Sequence, residues 1–133
     1  MPLHTRLRWL FLANATVLLT HQIDAAYWHE WELFRIPGGN QVNLILNIPI
    51  IALVLYAHSR VVADVHAGLG FYQLLAALGF LTVGIHGFFF WQGHTSFHQP
   101  MSIVLLAATC VLSAWQLLAL RGFRSNSLPS HFP

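Results

Sequence analysis

The chain has 133 residues, of which 56% are hydrophobic and only 8% charged. Soluble domains carry about a quarter charged residues, so this composition cannot cover a water-facing surface and excludes an ordinary soluble globule. The net charge of +2 comes from six arginines with no lysine, and no basic stretch interleaved with aromatics marks a nucleic-acid partner.

Four apolar runs organise the chain, at about residues 7–28, 41–58, 66–91 and 101–120. Each is near the roughly 20 residues that cross a bilayer. Only helices and closed barrels satisfy their backbone in lipid, and these runs are continuous rather than alternating, which predicts helices. The first follows Arg6 and Arg8, as a signal peptide's core would. It outlasts such a core, reaches His21 and Asp24, and shows no small-residue cleavage site, so it reads as a retained helix.

An outer turn over Trp28–Asn40 follows, with Pro37-Gly38-Gly39 as its punctuation. In the second run Asn40, Asn43 and Asn47 recur at spacings of three and four, a stripe on one helix face. Pro49 then deprives the Ile45 carbonyl of its usual donor. Ser59–Val65 makes the inner turn. The third run is dotted with Gly68, Gly70, Gly79, Gly84 and Gly87, small residues that let membrane helices approach closely, within the bundle or at a dimer face. Gln92–Pro100 returns the chain to the fourth run. Its lone Cys110 can form no intrachain disulfide. The polar, proline-bearing tail reads as flexible.

Orientation follows from arginine placement. With the N-terminus inside, Arg6, Arg8, Arg60, Arg121 and Arg124 are cytoplasmic and Arg35 alone is outside, a positive-inside pattern. Tyr27, Trp28, Trp31, Phe34, Trp91 and Phe97 form an outer aromatic belt, with Trp9 and Tyr56 at the inner boundary. The expected fold is all-α: a four-helix transmembrane bundle over residues 1–122 with both termini cytoplasmic, and a flexible cytoplasmic tail over 123–133.

The polar residues inside these runs carry the functional reading. Asn14, His21 and Asp24 share one stripe of the first helix, and Thr82 and His86 lie four apart near the outer end of the third. The topology brings His21, Asn47 and His86 to similar depth in the outer half of the bilayer, below His29, Glu30, Glu32, His94 and His98. Intramembrane polar groups are costly and face the bundle interior, so the expectation is one convergent pocket. His21 and Asp24 are its candidate acid/base and orienting pair. Asn43, Asn47, His86, Trp28 and Glu32 are its candidate ligand contacts. His21, Asp24 and His86 are candidate ligands of a divalent metal, and His21 with His86 could ligate haem axially. Glu30 reads as a solvated interface charge, and Gln73, Ser113 and Gln116 as interhelical contacts. No phosphate-binding glycine loop, GxSxG, HExxH or CxxC motif is present.

His21-x-x-Asp24, Glu30-x-Glu32 and Ile36-Pro37-Gly38 together resemble the small bacterial integral membrane proteins with an HxxEE motif and a following Pro-Gly turn. Asp24 stands in place of that motif's first glutamate, the adjacent acid is missing, and Arg35 replaces a tyrosine. This resemblance implies the bacterial inner membrane and no particular activity. In size and four-helix topology the chain is also similar to the EXPERA group of sterol isomerases and sigma-2-type receptors. Three functions are expected from the residues: a bilayer-embedded pocket for a small lipid-phase molecule or metal, with or without catalysis; a haem or metal redox site; or an accessory subunit, alone as a homo-oligomer or within a larger membrane complex.

Overall fold

The computed structural model describes residues 2–94 and 99–127. Its helices are α1 (Leu3–Tyr27), the single turn α2 (Glu30–Leu33), α3 (Gly39–Ala63), α4 (Val65–Trp91) and α5 (Pro100–Ser127). Expectations placed on Phe97, His98, the Arg124 side chain and residues beyond 127 fall outside what it describes. α3 and α5 overrun their expected ends, most of all α5, which continues to Ser127, while α1 and α4 end within one residue of them. Phe123, expected to open the tail, is instead 4% exposed and packs on the rings of His4 and His66, at 5.1 and 4.8 Å.

Local chemistry sets the connections. Gly38 and Gly39 take left-handed conformations (φ 103° and 60°) that start α3, a region glycine enters without a Cβ clash. Asp64 is extended (φ −149°, ψ 115°) and is the only residue between α3 and α4. Its carboxylate accepts from the His66 amide at 2.9 Å, satisfying one of the donors left open at a helix start. α3 runs unbroken through Pro49.

Among the described residues, three helices, Gly39–Ala63, Val65–Trp91 and Pro100–Phe123, are long and apolar enough to cross a membrane. α1, expected as the first of four spans, is not among them. Its 25 residues give it ample length, about 37 Å. However, Arg6, Arg8, Asn14, His21, Gln22 and Asp24 interrupt its apolar sequence. It sits instead at the centre of the packing.

α1 and α4 run parallel at the core, where Phe11 and Tyr72 lie 6.2 Å apart ring to ring. α3 and α5 flank this pair, each touching both members, and do not touch each other among the described residues. Leu7, Phe11, Val61, Val65 and Tyr72 are essentially inaccessible. α3 buries only Val54, Ala57 and Val61, and exposes Leu44, Ile45, Ile48 and Leu55. That surface suits hydrocarbon, where no hydrophobic penalty attaches to exposed leucine and isoleucine.

Two glycines permit the close approaches. A Cβ on Gly68 would lie 2.7 Å from Val61 Cα, and one on Gly79 would collide with Ser113 Oγ and reach 3.0 Å from Thr109 Oγ1. At the second contact a polar layer crosses the core. Asn14 Nδ2 donates to Ser113 Oγ at 3.0 Å and to Gln116 Oε1. Thr109 Oγ1 donates to Asn14 Oδ1 at 2.9 Å. The Asn14 stripe of α1 therefore divides: its lower member clamps α5, and its upper members face another site. Gln73 is exposed and takes no part in this layer.

Candidate metal centre

His21 projects from the upper third of α1 and His86 from the last turns of α4. Because these helices are parallel, residues at matching height in the two helices meet. The imidazoles approach edge to face with centroids 4.7 Å apart, and both residues are buried, at 3% and 4% exposure.

The third member comes from the connection above them. α1 ends at Tyr27 with Trp28 as its cap, and His29 reverses the chain with a left-handed backbone (φ 54°). The turn α2 then lays Glu30 back over the bundle. Arg35, also left-handed at φ 53°, redirects the chain toward α3, and Phe34 packs edge-on to Phe89 of α4 at 5.5 Å. Held in this way, the Glu30 side chain is only 12% exposed, and its Oε1 lies 3.0 Å from His86 Nε2.

On the other side of that ring, His86 Nδ1 lies 2.8 Å from the Thr82 carbonyl oxygen. A carbonyl can only accept, so Nδ1 carries the proton. In the neutral ring Nε2 then presents a lone pair toward a carboxylate oxygen. Two acceptors at 3.0 Å need a proton or a cation between them. This is the arrangement of a metal-binding histidine whose second nitrogen is fixed by a backbone carbonyl.

One ligand atom each from His21, Glu30 and His86 lie within 4.8 Å of one another, and among the described residues this is the group that could hold a metal ion. Metal–ligand bonds of 2.0–2.2 Å place tetrahedral ligand atoms about 3.4 Å apart, so closure takes a shift of up to about 1.4 Å in the most distant member.

The surroundings contain further uncompensated polarity. His21 Nδ1, Asp24 Oδ2, Trp28 Nε1 and Asn47 Oδ1 are buried without a hydrogen-bond partner. Such atoms cost roughly 1–3 kcal/mol each when left unpaired and call for an explanation, an ion among them. Asp24 acts electrostatically on both imidazoles, but the converging carboxylate is that of Glu30 rather than Asp24. Asn47 Nδ2 donates to the Asn43 carbonyl at 2.9 Å and to Asn43 Oδ1 at 3.1 Å. The asparagines thus bond to each other. The antiparallel register that sets Val61 against Gly68 and Tyr56 against Phe71 puts them level with Thr82 and His86. Glu32 turns outward, 72% exposed, toward His29 at 3.8 Å.

A haem between His21 and His86 does not fit this packing. Their rings are in direct contact at 4.7 Å, which leaves no gap for an iron and its macrocycle. Sequence reasoning passed over Glu30 because Glu30 and Glu32 look alike beside a membrane surface. In a helical turn residues two apart face different sides, and nothing local says which faces inward.

Residues 7–123 match a family of unknown function, DUF6713, and the chain belongs to that family. No curated protein and no solved structure matches the chain.

Proposed function

We propose that this protein is a four-span membrane protein that holds a divalent metal ion among His21, Glu30 and His86, in the outer half of the bilayer. Its arginine-bearing ends are cytoplasmic in this reading. The observation that carries it is the convergence of three ligand atoms, drawn from α1, α2 and α4, within 4.8 Å. α1 completes the bundle as a span whose polar residues point inward, which is how intramembrane polar groups are tolerated.

Two imidazoles and one carboxylate suit zinc or a similar first-row ion. Three protein ligands leave a coordination position open, the pattern of catalytic rather than structural sites. A metal there would supply Lewis acidity toward an oxygen of water or substrate. The chain's own residues do the rest. Thr82 fixes the His86 tautomer, Asp24 adds negative charge beside both histidines, and Phe34 on Phe89 holds the turn that carries Glu30. The substrate class that reaches such a site is a small molecule of the lipid phase or its outer surface.

The specific alternative is a protonated His86–Glu30 ion pair that pins α2 to α4 and binds nothing, the accessory-subunit reading. Elemental analysis separates them. Tag-free protein purified in detergent without chelators, then titrated with zinc, is expected to hold one metal per chain. Glu30→Gln and His86→Gln are expected to lose it while remaining helical by circular dichroism. Absence of saturable binding in the parent protein would overturn the metal reading and leave the ion pair.

A further inference from the structure

At the opposite end of the bundle, α1 and α3 form an open cleft of about 330 Å³ lined by Thr5, Arg8, Trp9, Leu12, His58 and Val62. Arg8 is its one charged wall. Arg8 Nε is buried with no hydrogen-bond partner, and the ion pairs among the described residues involve only histidines and glutamates at the far end. The one acidic residue at this end, Asp64, is engaged in capping α4. Arg6, the other arginine of α1, lies over the Trp115 ring at 5.6 Å. The cavity is therefore positive and lacks an internal counter-charge.

From these groups we propose a binding site for the phosphate of an anionic phospholipid headgroup, in the leaflet on the arginine side. A guanidinium at bilayer depth requires an anionic or carbonyl partner, and its planar fork matches phosphate oxygens in a bidentate fashion. Thr5 and His58 add a hydroxyl and an imidazole on the two helices that face each other across the cleft. Leu12 and Val62 give the apolar wall that acyl chains need. Trp9, 60% exposed, stands where interfacial tryptophans meet the glycerol and ester region. Basic pockets between transmembrane helices on the cytoplasmic side bind phosphorylated headgroups in this way. The site shares no residue with the metal centre and stands or falls independently of it.

The test is thermal unfolding of the detergent-solubilised full chain, with added phosphatidylglycerol, phosphatidylcholine or millimolar inorganic phosphate, alongside lipid extraction and phosphorus analysis. Phosphatidylglycerol is expected to raise the melting temperature of the parent protein and to co-purify with it, with phosphatidylcholine and free phosphate doing neither. Arg8→Gln is expected to weaken the phosphatidylglycerol effect about tenfold or more in half-saturating concentration, a loss typical of a charged hydrogen bond. Arg60→Gln, outside the cavity, is expected to leave it unchanged. Equal protection by phosphatidylcholine would overturn the proposal. So would equal protection by inorganic phosphate, or a full phosphatidylglycerol effect in Arg8→Gln. The lipid preference of the parent protein decides the matter even if Arg8→Gln does not fold.

Discussion

Glu30 Oε1 stands 3.0 Å from His86 Nε2 although 56 residues separate the two in the chain. The contact closes one end of the bundle, because it joins the turn after α1 to the last part of α4. With Nδ1 committed to the Thr82 carbonyl, His86 has one nitrogen left, and that nitrogen meets the carboxylate. The pair is completed by a proton or, in the proposed function, by a metal ion that the adjacent His21 would also ligate.

Glu30 and Glu32 are expected to behave differently on substitution. Glu30→Gln removes a ligand of the proposed metal site and is expected to lower metal affinity by about 100-fold or more, beyond the 10–100-fold that loss of an outer-shell partner costs. Glu32→Gln is expected to change nothing, since its side chain is 72% exposed. Competition titration with a chromogenic chelator measures both. Equal losses in the two variants would contradict the placement of α2.

Asp24→Asn is expected to fall between them, with affinity reduced about tenfold, because Asp24 supplies nearby charge without joining the three converging ligand atoms. A loss as large as that of Glu30→Gln would make Asp24 a ligand.

Metal retention is expected to weaken with acid. Each histidine must be neutral to ligate, so protons compete for the same lone pairs. Affinity stays at its plateau while both rings are deprotonated and then falls as pH drops, by up to about tenfold per pH unit for each histidine. Zinc titrations across the pH range measure the slope. A flat profile would remove histidine from the ligand set.

Asn14→Ala is expected to destabilise the bundle by about 1–2 kcal/mol while sparing the metal. It strips partners from Thr109, Ser113 and Gln116, all fully buried, and hydrogen bonds between membrane helices are worth about that much or less. Reversible unfolding in mixed micelles reads the stability, and elemental analysis reads the metal.

Gly79→Ala is expected to cost about 1–3 kcal/mol by overpacking, since its methyl would collide with Ser113 Oγ. Removing that oxygen with Ser113→Ala is expected to restore part of the loss, a coupling that a double-mutant cycle detects. Gly84→Ala, with nothing within 4 Å of the added carbon, is the neutral comparison.

Much of this was legible in the residues themselves. Continuous apolar runs of bilayer length announce helices because lipid offers no partner to an open backbone. His21, His86 and the asparagines stood out because polar groups within such runs have to face inward. Helical period, a local property, put Asn14, His21 and Asp24 on one stripe. The tertiary structure decided what each of them meets. Asn14 joins α5 because Gly79 lets that helix close on α4 at its level. His21 meets His86 because α1 and α4 pack in parallel, and their contact leaves no gap for a haem. Glu30 rather than Glu32 turns inward because two left-handed residues, His29 and Arg35, bracket a single helical turn. Spacing along a chain determines which side chains share a face. Only the docking of one element on another determines which face looks into the site.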